Sequence, residues 1–304
     1  MFVKTIKVKI PATTANCGPG FDSIGIACTY YNELEVTELD IDEIQLEVTG
    51  EGEGIIPATR SNIVCQAIDK VFERVGYTCK GLRLKMENNI PLARGMGSSA
   101  AAIVGGLFAA NELSGSKLTR HDLFELATEM EGHPDNVAPA IFGGITVSIM
   151  EGNKPSYLRF MPPKPLYMIV AIPEFHLATK TARSVLPTQV PREDAIFNLS
   201  RTALLVTALS QGKYEYLSQA LEDKLHQPYR MPLIKGMEDV VPLAKKAGAY
   251  GCVISGAGPS LIAFAEKNPD DIGQAMVQGF NQNDVEARYV VLQVAEKGVR
   301  ISPK

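Results

Sequence analysis

No stretch of this chain is apolar for long enough to cross a bilayer: the longest run, Ala100 to Ala110, falls far short of the roughly 20 residues that a spanning helix needs. The amino terminus, MFVKTIKVKIP, alternates apolar and basic residues and lacks the continuous apolar core of a secretory signal. Runs of basic residues are absent too, and Lys+Arg 30 against Asp+Glu 34 leaves a net charge of -4. A chain so balanced has no electrostatic footprint for nucleic acid or for an anionic membrane, so any anion it binds is held by a local site. The five cysteines, Cys17, Cys28, Cys65, Cys79 and Cys252, are odd in number, scattered and free of C-x-x-C pairs. That usage argues against a zinc site and suits reduced, mostly buried thiols in a cytoplasmic protein. The Gly-Lys-Ser/Thr ending of a Walker loop occurs nowhere, and there is no low-complexity tract or repeat of fixed period.

What is present is 304 residues, 45% of them hydrophobic, enough for a substantial core and a length that fits two domains. The stretch around which the rest is organised is IPLARGMGSSAAAIVGG, Ile90 to Gly106. Before it, Leu82 to Met86 alternates apolar and charged residues like a half-buried strand, and Ser99 to Leu113 is rich in Ala and Leu. The order is strand, tight loop, helix. Gly95 and Gly97 allow backbone angles that other residues avoid, and Ser98 and Ser99 stand where a helix leaves its first N–H groups unpaired. Those donors and the positive end of the helix dipole suit a phosphate, and a serine hydroxyl there can bond a phosphate oxygen or Mg²⁺. The same small residues would also let a helix pack closely on a sheet. Gly95, Gly97 and Ala100 satisfy the pattern G-x-G-x-x-A, but the strand with an acidic end that dinucleotide binding requires does not follow.

Along the chain, PATTANCGPGFDSIGIA, Pro11 to Ala27, reads as a long turn from its density of Pro, Gly and small polar residues. Asn16 and Asp22 within it either grip a small polar ligand or bond the turn's own backbone. Strands are expected at Tyr30 to Glu38 and Ile44 to Thr49, then a helix from Asn62 to Val75 with Ile63, Ala67, Ile68, Val71 and Phe72 on its apolar face. Thr119 caps a later helix whose core stripe is Leu123, Leu126, Ala127 and Met130. Glu125 and Glu129 lie on its opposite face, solvated unless that face borders a cleft. His133, Asp135 and Asn136 form a proline-bounded turn, either an ordered corner or part of a site. The proline-bearing segment Glu151 to Lys164 marks a boundary, giving domains over residues 1–160 and 161–304. The second half opens with a strand, Leu166 to Ile172, and a polar loop with Thr179, Lys180 and Arg183. Helices follow over Glu193 to Ser210, Tyr214 to His226 and Leu233 to Ala247, with QPYRMP and its Arg230 between the last two. Two strands joined by Gly-Ala-Gly-Pro-Ser, a helix from Asp270 and a strand near Val285 to Val294 complete an α+β pattern.

Three glycine-rich stretches therefore stand in order: PATTANCGPGFDSIG, PLARGMGSSAA and ISGAGPS. Together they resemble the three motifs of the GHMP small-molecule kinases, named for galactokinase, homoserine kinase, mevalonate kinase and phosphomevalonate kinase, and the likeness spans nearly the whole chain. Within that family the first motif, HPDNVAPAIFGG and KTARSVLP are similar to the branch that acts on homoserine. The resemblance implies transfer of the ATP γ-phosphoryl group to the side-chain hydroxyl of L-homoserine, a step of threonine biosynthesis, with Mg²⁺ as cofactor. Another GHMP kinase, of mevalonate or shikimate type, and a catalytically silent binding protein are the alternatives; a homodimer is compatible with either.

The fold so implied is α+β: an amino-terminal domain like the second domain of ribosomal protein S5, then a ferredoxin-like domain, with the active site between them. The resemblance places Pro91, Leu92, Ala93, Arg94, Gly95, Met96, Gly97, Ser98, Ser99, Ala100 and Ala101 around the triphosphate. Asn62 is the adenine contact, and Gly256 and Gly258 lie under the phosphates. Ser98 or Ser99 and Glu125, which precedes Asn136 by eleven positions, hold Mg²⁺. Where most of the family has a catalytic aspartate this chain has Asn136, which cannot accept a proton and instead orients the hydroxyl. Asp135 and Asp22 are then the candidate proton acceptors. A zwitterionic amino acid also needs cationic forks for its carboxylate, a role that suits Arg183 and Arg230. Asn16 and Asp22 take the ammonium group, with His133 and Thr179 nearby.

Overall fold

The computed structural model describes residues 4–303. The strands are β1 (Thr5–Asn16), β2 (Gly20–Leu39), β3 (Ile44–Gly50), β4 (Gly81–Asn88), β5 (Ile145–Glu151), β6 (Lys154–Phe160), β7 (Tyr167–Pro173), β8 (Gly251–Ile254), β9 (Leu261–Ala265), β10 (Ala287–Leu292) and β11 (Arg300–Pro303). The helices are α1 (Ile63–Val75), α2 (Ser98–Leu113), α3 (Arg120–Glu131), α4 (Pro134–Phe142), α5 (Thr179–Ser184), α6 (Arg192–Gln211), α7 (Leu217–Ala220), α8 (Gln227–Arg230), α9 (Met237–Lys246) and α10 (Pro269–Asn281).

In β1 the alternation seen in the sequence buries Ile6, Val8 and Ile10 and turns Lys7 and Lys9 outward to Glu33, at 2.6 and 2.9 Å. The strand does not stop at Pro11. It continues to Asn16, turns through Cys17, Gly18 and Pro19, and returns as β2, with Ala12, Thr13, Thr14 and Ala15 opposite Cys28, Ala27, Ile26 and Gly25. The long turn expected over Pro11 to Ala27 is thus mostly a hairpin. Its residues are small because other backbone presses on them: a Cβ at Gly25 would lie 1.8 Å from the Asp135 carbonyl oxygen in α4.

The first sheet runs β11-β1-β2-β4-β3, with β5 on β2 and β6 on β5; β3 and β4 are parallel and the other pairs antiparallel. Helices α2 and α4 pack on β1 and β2, and α1 lies against α2. Asn62 caps α1, but Ile63 is exposed, and the buried face is Val64, Cys65, Ala67, Ile68, Val71 and Phe72. Thr119 caps α3 through a reciprocal box with Asp122, as the sequence predicts.

The second sheet is antiparallel in the order β10-β7-β9-β8. With α9 and α10 on one face this is the ferredoxin-like arrangement. Both faces of β7 are buried, which explains its unbroken apolar sequence. Met168, Val170 and Ile172 point into the core shared with the first sheet, and Ile169 and Ala171 into a second core under α9 and α10.

Two segments depart from the sequence reading. The helix expected over Tyr214 to His226 breaks after α7, because the Asp223 carboxylate accepts the N–H groups of Leu225, His226 and Gln227 and the Asn198 amide. Residues 300–303, assigned with the second domain by a division at residue 160, form β11 on the edge of the first sheet beside β1.

All five cysteines are free, four buried and Cys79 half-buried. Burial pushes Cys28 and Cys252 up to about 12, Cys65 and Cys79 to about 11, and Cys17 upward as well. Only a thiolate attacks a disulfide reagent. Native protein at pH 8 should therefore release less than about one equivalent of chromophore from an aromatic disulfide over several minutes, and five equivalents once denatured.

Candidate active site

The loop from Pro91 to Gly97 is held by its carbonyls and by close approach. Ala93, Gly95 and Gly97 have φ of 52, 72 and 71°, and a Cβ would meet the Ser255 carbonyl oxygen at 2.1 Å from Gly95 or Thr13 Oγ1 at 1.9 Å from Gly97. The Ser255 hydroxyl donates to Gly95 O (2.7 Å) and the Thr13 N–H to Met96 O (3.1 Å). Arg94 is buried and anchors the loop from below, with Nε on Pro173 O (2.7 Å) and Nη1 on Leu92 O (3.1 Å) and on His176 Nδ1 (2.6 Å). Its guanidinium tethers the loop through these bonds and borders the polar cleft. Met96 and Ala100 likewise point into the core.

With the carbonyls engaged, the amides are free. None of the N–H groups from Gly95 to Ala100 donates to another described residue, and the first intrahelical bond of α2 is Ala101 N–H to Gly97 O. A row of open donors at the positive end of a 16-residue helix suits an anion.

That row stands between two cavities. One, of about 400 Å³, is mostly apolar, with Leu34, Ile56, Met86 and Leu92 in its wall; the other, of about 110 Å³, is polar. They share Ala93, Ser98, Ser99 and Thr179. Asn62 lines the apolar cavity with its amide already engaged, accepting from Val64 N–H (2.9 Å) and donating to Pro57 O (3.2 Å), so it shapes the wall. Pro91 and Gly258 line neither cavity, and a Cβ at Gly258 would press on Ile234.

The polar cleft gathers residues far apart in sequence. Asn16, buried at φ 71°, accepts the Asp22 N–H (2.9 Å) and donates to Gly256 O (2.8 Å), clipping the first glycine-rich segment to the third. Asp22 receives both arms of Arg183, at 3.0 and 2.7 Å, and this hydrogen-bonded ion pair raises the arginine's pKa. Arg230 is fully buried, with Nε on Ala182 O (3.1 Å) and Nη1 on Gly256 O (3.2 Å). Burial first, then the neighbouring Arg183, lowers its pKa, although a guanidinium stays charged. Asn136 Oδ1 accepts the Thr13 hydroxyl (2.8 Å), which leaves Nδ2 as the donor, 3.3 Å from Asp135. His133 Nδ1 bonds the buried Asp135; burial disfavours its cation, but the carboxylate outweighs burial and the pKa is raised. Thr179, in the first turn of α5, closes the rim.

Glu125 is not in the cleft. It faces outward from α3, 3.7 Å from His121, and borders a separate groove with Arg74, Asp122 and Glu129. The glutamate in the cleft, beside Asp22 and Asp135, is Glu131, the last residue of α3, which accepts the Ser99 hydroxyl at 2.8 Å. Burial raises its pKa, against the Ser99 bond. The eleven-residue spacing points to Glu125, which lies outside the cleft, whereas Glu131, separated from α4 by only Gly132 and His133, lies in it. Thr13 and Ser255, which fix Asn136 and the loop, carried no sequence signal beyond membership of glycine-rich stretches. Glu131 had one: it is the acid next to the Gly132 cap, at φ 90°.

No group of three or more His, Cys, Asp or Glu among the described residues could hold a metal ion. One carboxylate and two hydroxyls at an anion site nevertheless fit Mg²⁺, which takes oxygen donors and shares its shell with phosphates.

A helix start with open amides between an apolar and a polar cavity suits a small-molecule kinase, and the chain belongs to the GHMP kinases: residues 62–144 match the GHMP kinases N terminal domain and residues 205–282 the GHMP kinases C terminal. Its relatives are more particular. It is 47% identical over 291 residues, covering 96% of this chain and 95% of the relative, to a homoserine kinase of Carboxydothermus hydrogenoformans. The crystal structure of homoserine kinase from Cytophaga hutchinsonii superposes with a TM-score of 0.89 at 32% identity, covering 98% of this chain and 97% of that one. Mevalonate kinase from L. major, in complex with R-mevalonate, shares the fold, with a TM-score of 0.71 at 19% identity over 95% and 96% of the two chains.

Proposed function

We propose that this protein transfers the γ-phosphoryl group of ATP to the side-chain hydroxyl of L-homoserine, a cytoplasmic step of threonine biosynthesis. The observation that carries the reading is the junction at Ser98 and Ser99, where the open amides meet a cleft whose lining includes Arg183, Arg230, Asp22 and Asp135. The 47% identity to a homoserine kinase over nearly the full length supports the same substrate.

The base enters the apolar cavity and the phosphates lie along Gly95 to Ala100. Glu131, Ser99 and Ser98 would hold Mg²⁺, which would supply positive charge to neutralise that of the phosphates. The substrate carboxylate meets Arg230 and Arg183. Each oxygen of Asp22 keeps a lone pair for the ammonium group beside its bond to Arg183. Asn136, its amide set by Thr13, donates from Nδ2 to the hydroxyl oxygen and points it at the γ-phosphorus. Because phosphoryl transfer passes through a loose transition state, orientation and charge neutralisation supply most of the rate without a strong base.

A coupled ADP-release assay comparing homoserine, mevalonate, galactose and shikimate tests this. Preference for homoserine is expected; preference for another alcohol overturns the substrate, and nucleotide binding without turnover overturns the activity. Arg183→Ala should raise the homoserine KM by about 10 to 100-fold, the loss of a charge-assisted pair, with the ATP KM little changed. Equal shifts in both would remove Arg183 from the carboxylate site.

A further inference from the structure

Arg230 is buried, yet one of its nitrogens makes no hydrogen bond among the described residues, and its neighbours explain how it is aimed. Helix α8 spans four residues and sets His226 and Arg230 four positions apart on one face. His226 is fully buried, and its Nε2 lies 2.7 Å from the Gly18 carbonyl oxygen. A carbonyl only accepts, so the ring proton is on Nε2 and Nδ1 carries a lone pair. Arg230 Nη1, 3.3 Å from Nδ1, donates to it. Nη1 also bonds Gly256 O and Nε bonds Ala182 O, which leaves Nη2 as the unpartnered nitrogen of a side chain that lines the cleft.

Phe21 fixes the plane of this arrangement. Its ring stacks on the imidazole, with centroids 5.2 Å apart, and lies under the Arg230 guanidinium at 5.3 Å. The groups facing His226 keep it neutral: burial lowers its pKa most, and Arg230 adds to this against the opposing Asp223, Gly18 carbonyl and Asp22. Only the neutral ring can accept from Arg230.

We propose that His226 is a positioning residue: its Nε2-protonated ring holds the Arg230 fork so that Nη2 faces the α-carboxylate of the amino-acid substrate. The same ring ties that fork to the β1–β2 turn at Gly18, next to Asn16 and Asp22. This rests on the functional reading above, and wild-type turnover of homoserine tests that reading before any variant is made.

His226→Leu should raise the homoserine KM about tenfold, the size of one lost orienting hydrogen bond, with kcat and the ATP KM within about twofold. His226→Asn, which keeps an acceptor near the Nδ1 position, should recover a good part of that loss. The discriminating probe is 3-aminopropan-1-ol, which is homoserine without its carboxylate: its inhibition constant against homoserine should be the same for wild type and both variants. A parallel loss for homoserine and 3-aminopropan-1-ol would reduce His226 to a structural residue and overturn the proposal. Should His226→Leu fail to fold, ¹⁵N chemical shifts of wild-type His226 decide: an Nε2-bound proton at pH 7 supports the proposal, and an Nδ1-bound proton or an imidazolium overturns it.

Discussion

Glu131→Gln lowers kcat by at least about a hundredfold, the scale of losing one preorganised charge at a phosphoryl-transfer centre, while Glu125→Gln leaves both kinetic constants within about twofold. Glutamine has the shape of glutamate and still accepts the Ser99 hydroxyl bonded here at 2.8 Å, so what is removed is the charge that would hold Mg²⁺. The stability of the same variant is expected to move the other way. The folded-state pKa of Glu131 is raised by burial, so the native state binds the proton more tightly than the unfolded chain does. Its contribution to stability is full below the unfolded value and is lost as pH rises through the folded one. Glu131→Gln without ligands should therefore melt at or above the wild-type temperature at pH 7 to 8, and the difference should vanish towards pH 4. Turnover at several Mg²⁺ concentrations, with thermal melts across pH, checks both halves. Loss of activity in Glu125→Gln instead would move the metal to the outer face of α3.

Gly97→Ala should cut kcat/KM for ATP by about a hundredfold, on two counts. Alanine at φ 71° costs about 1–2 kcal/mol in any setting, and here its Cβ would stand 1.9 Å from Thr13 Oγ1. The backbone has to shift to relieve that clash, and with it go the amides that face the phosphates. Thr13 also orients Asn136 through a 2.8 Å hydrogen bond, so kcat falls together with ATP affinity. Gly115→Ala is the control. It has the same kind of backbone, φ 95°, and nothing within 4 Å of the new Cβ, so it should lose stability without kinetic change. Circular dichroism and steady-state kinetics on both variants separate strain from lost function. Equal kinetic loss in the two would mean that loop geometry at residue 97 is not what binds the nucleotide.

The resemblance to GHMP kinases was legible because its motifs are local. A strand, a loop with Gly95 and Gly97 and a helix opening on two serines depend on backbone angles and on the unpaired amides of a helix start, which neighbouring residues set. The alternation of β1 and β4 and the Thr119 cap were legible for the same reason. The hairpin at Ala12 to Gly25 was not, because small residues look like a turn until α4 is known to press on Gly25. Nor was β11, whose partner β1 lies at the other end of the chain.

Local chemistry along the chain thus determined that a helix start with open amides exists, and the motif order placed the chain in its family. Which glutamate lies beside that helix start was decided only in three dimensions: Glu131, separated from α4 by two residues, is in the cleft and Glu125 is outside it. The tertiary structure likewise settled that Arg94 is a tether, that Arg183 is paired to Asp22, and that Arg230 is buried beside His226. The reason is physical: the burial and pairing that govern a charged group come from residues far away in sequence, and no window of neighbours contains them.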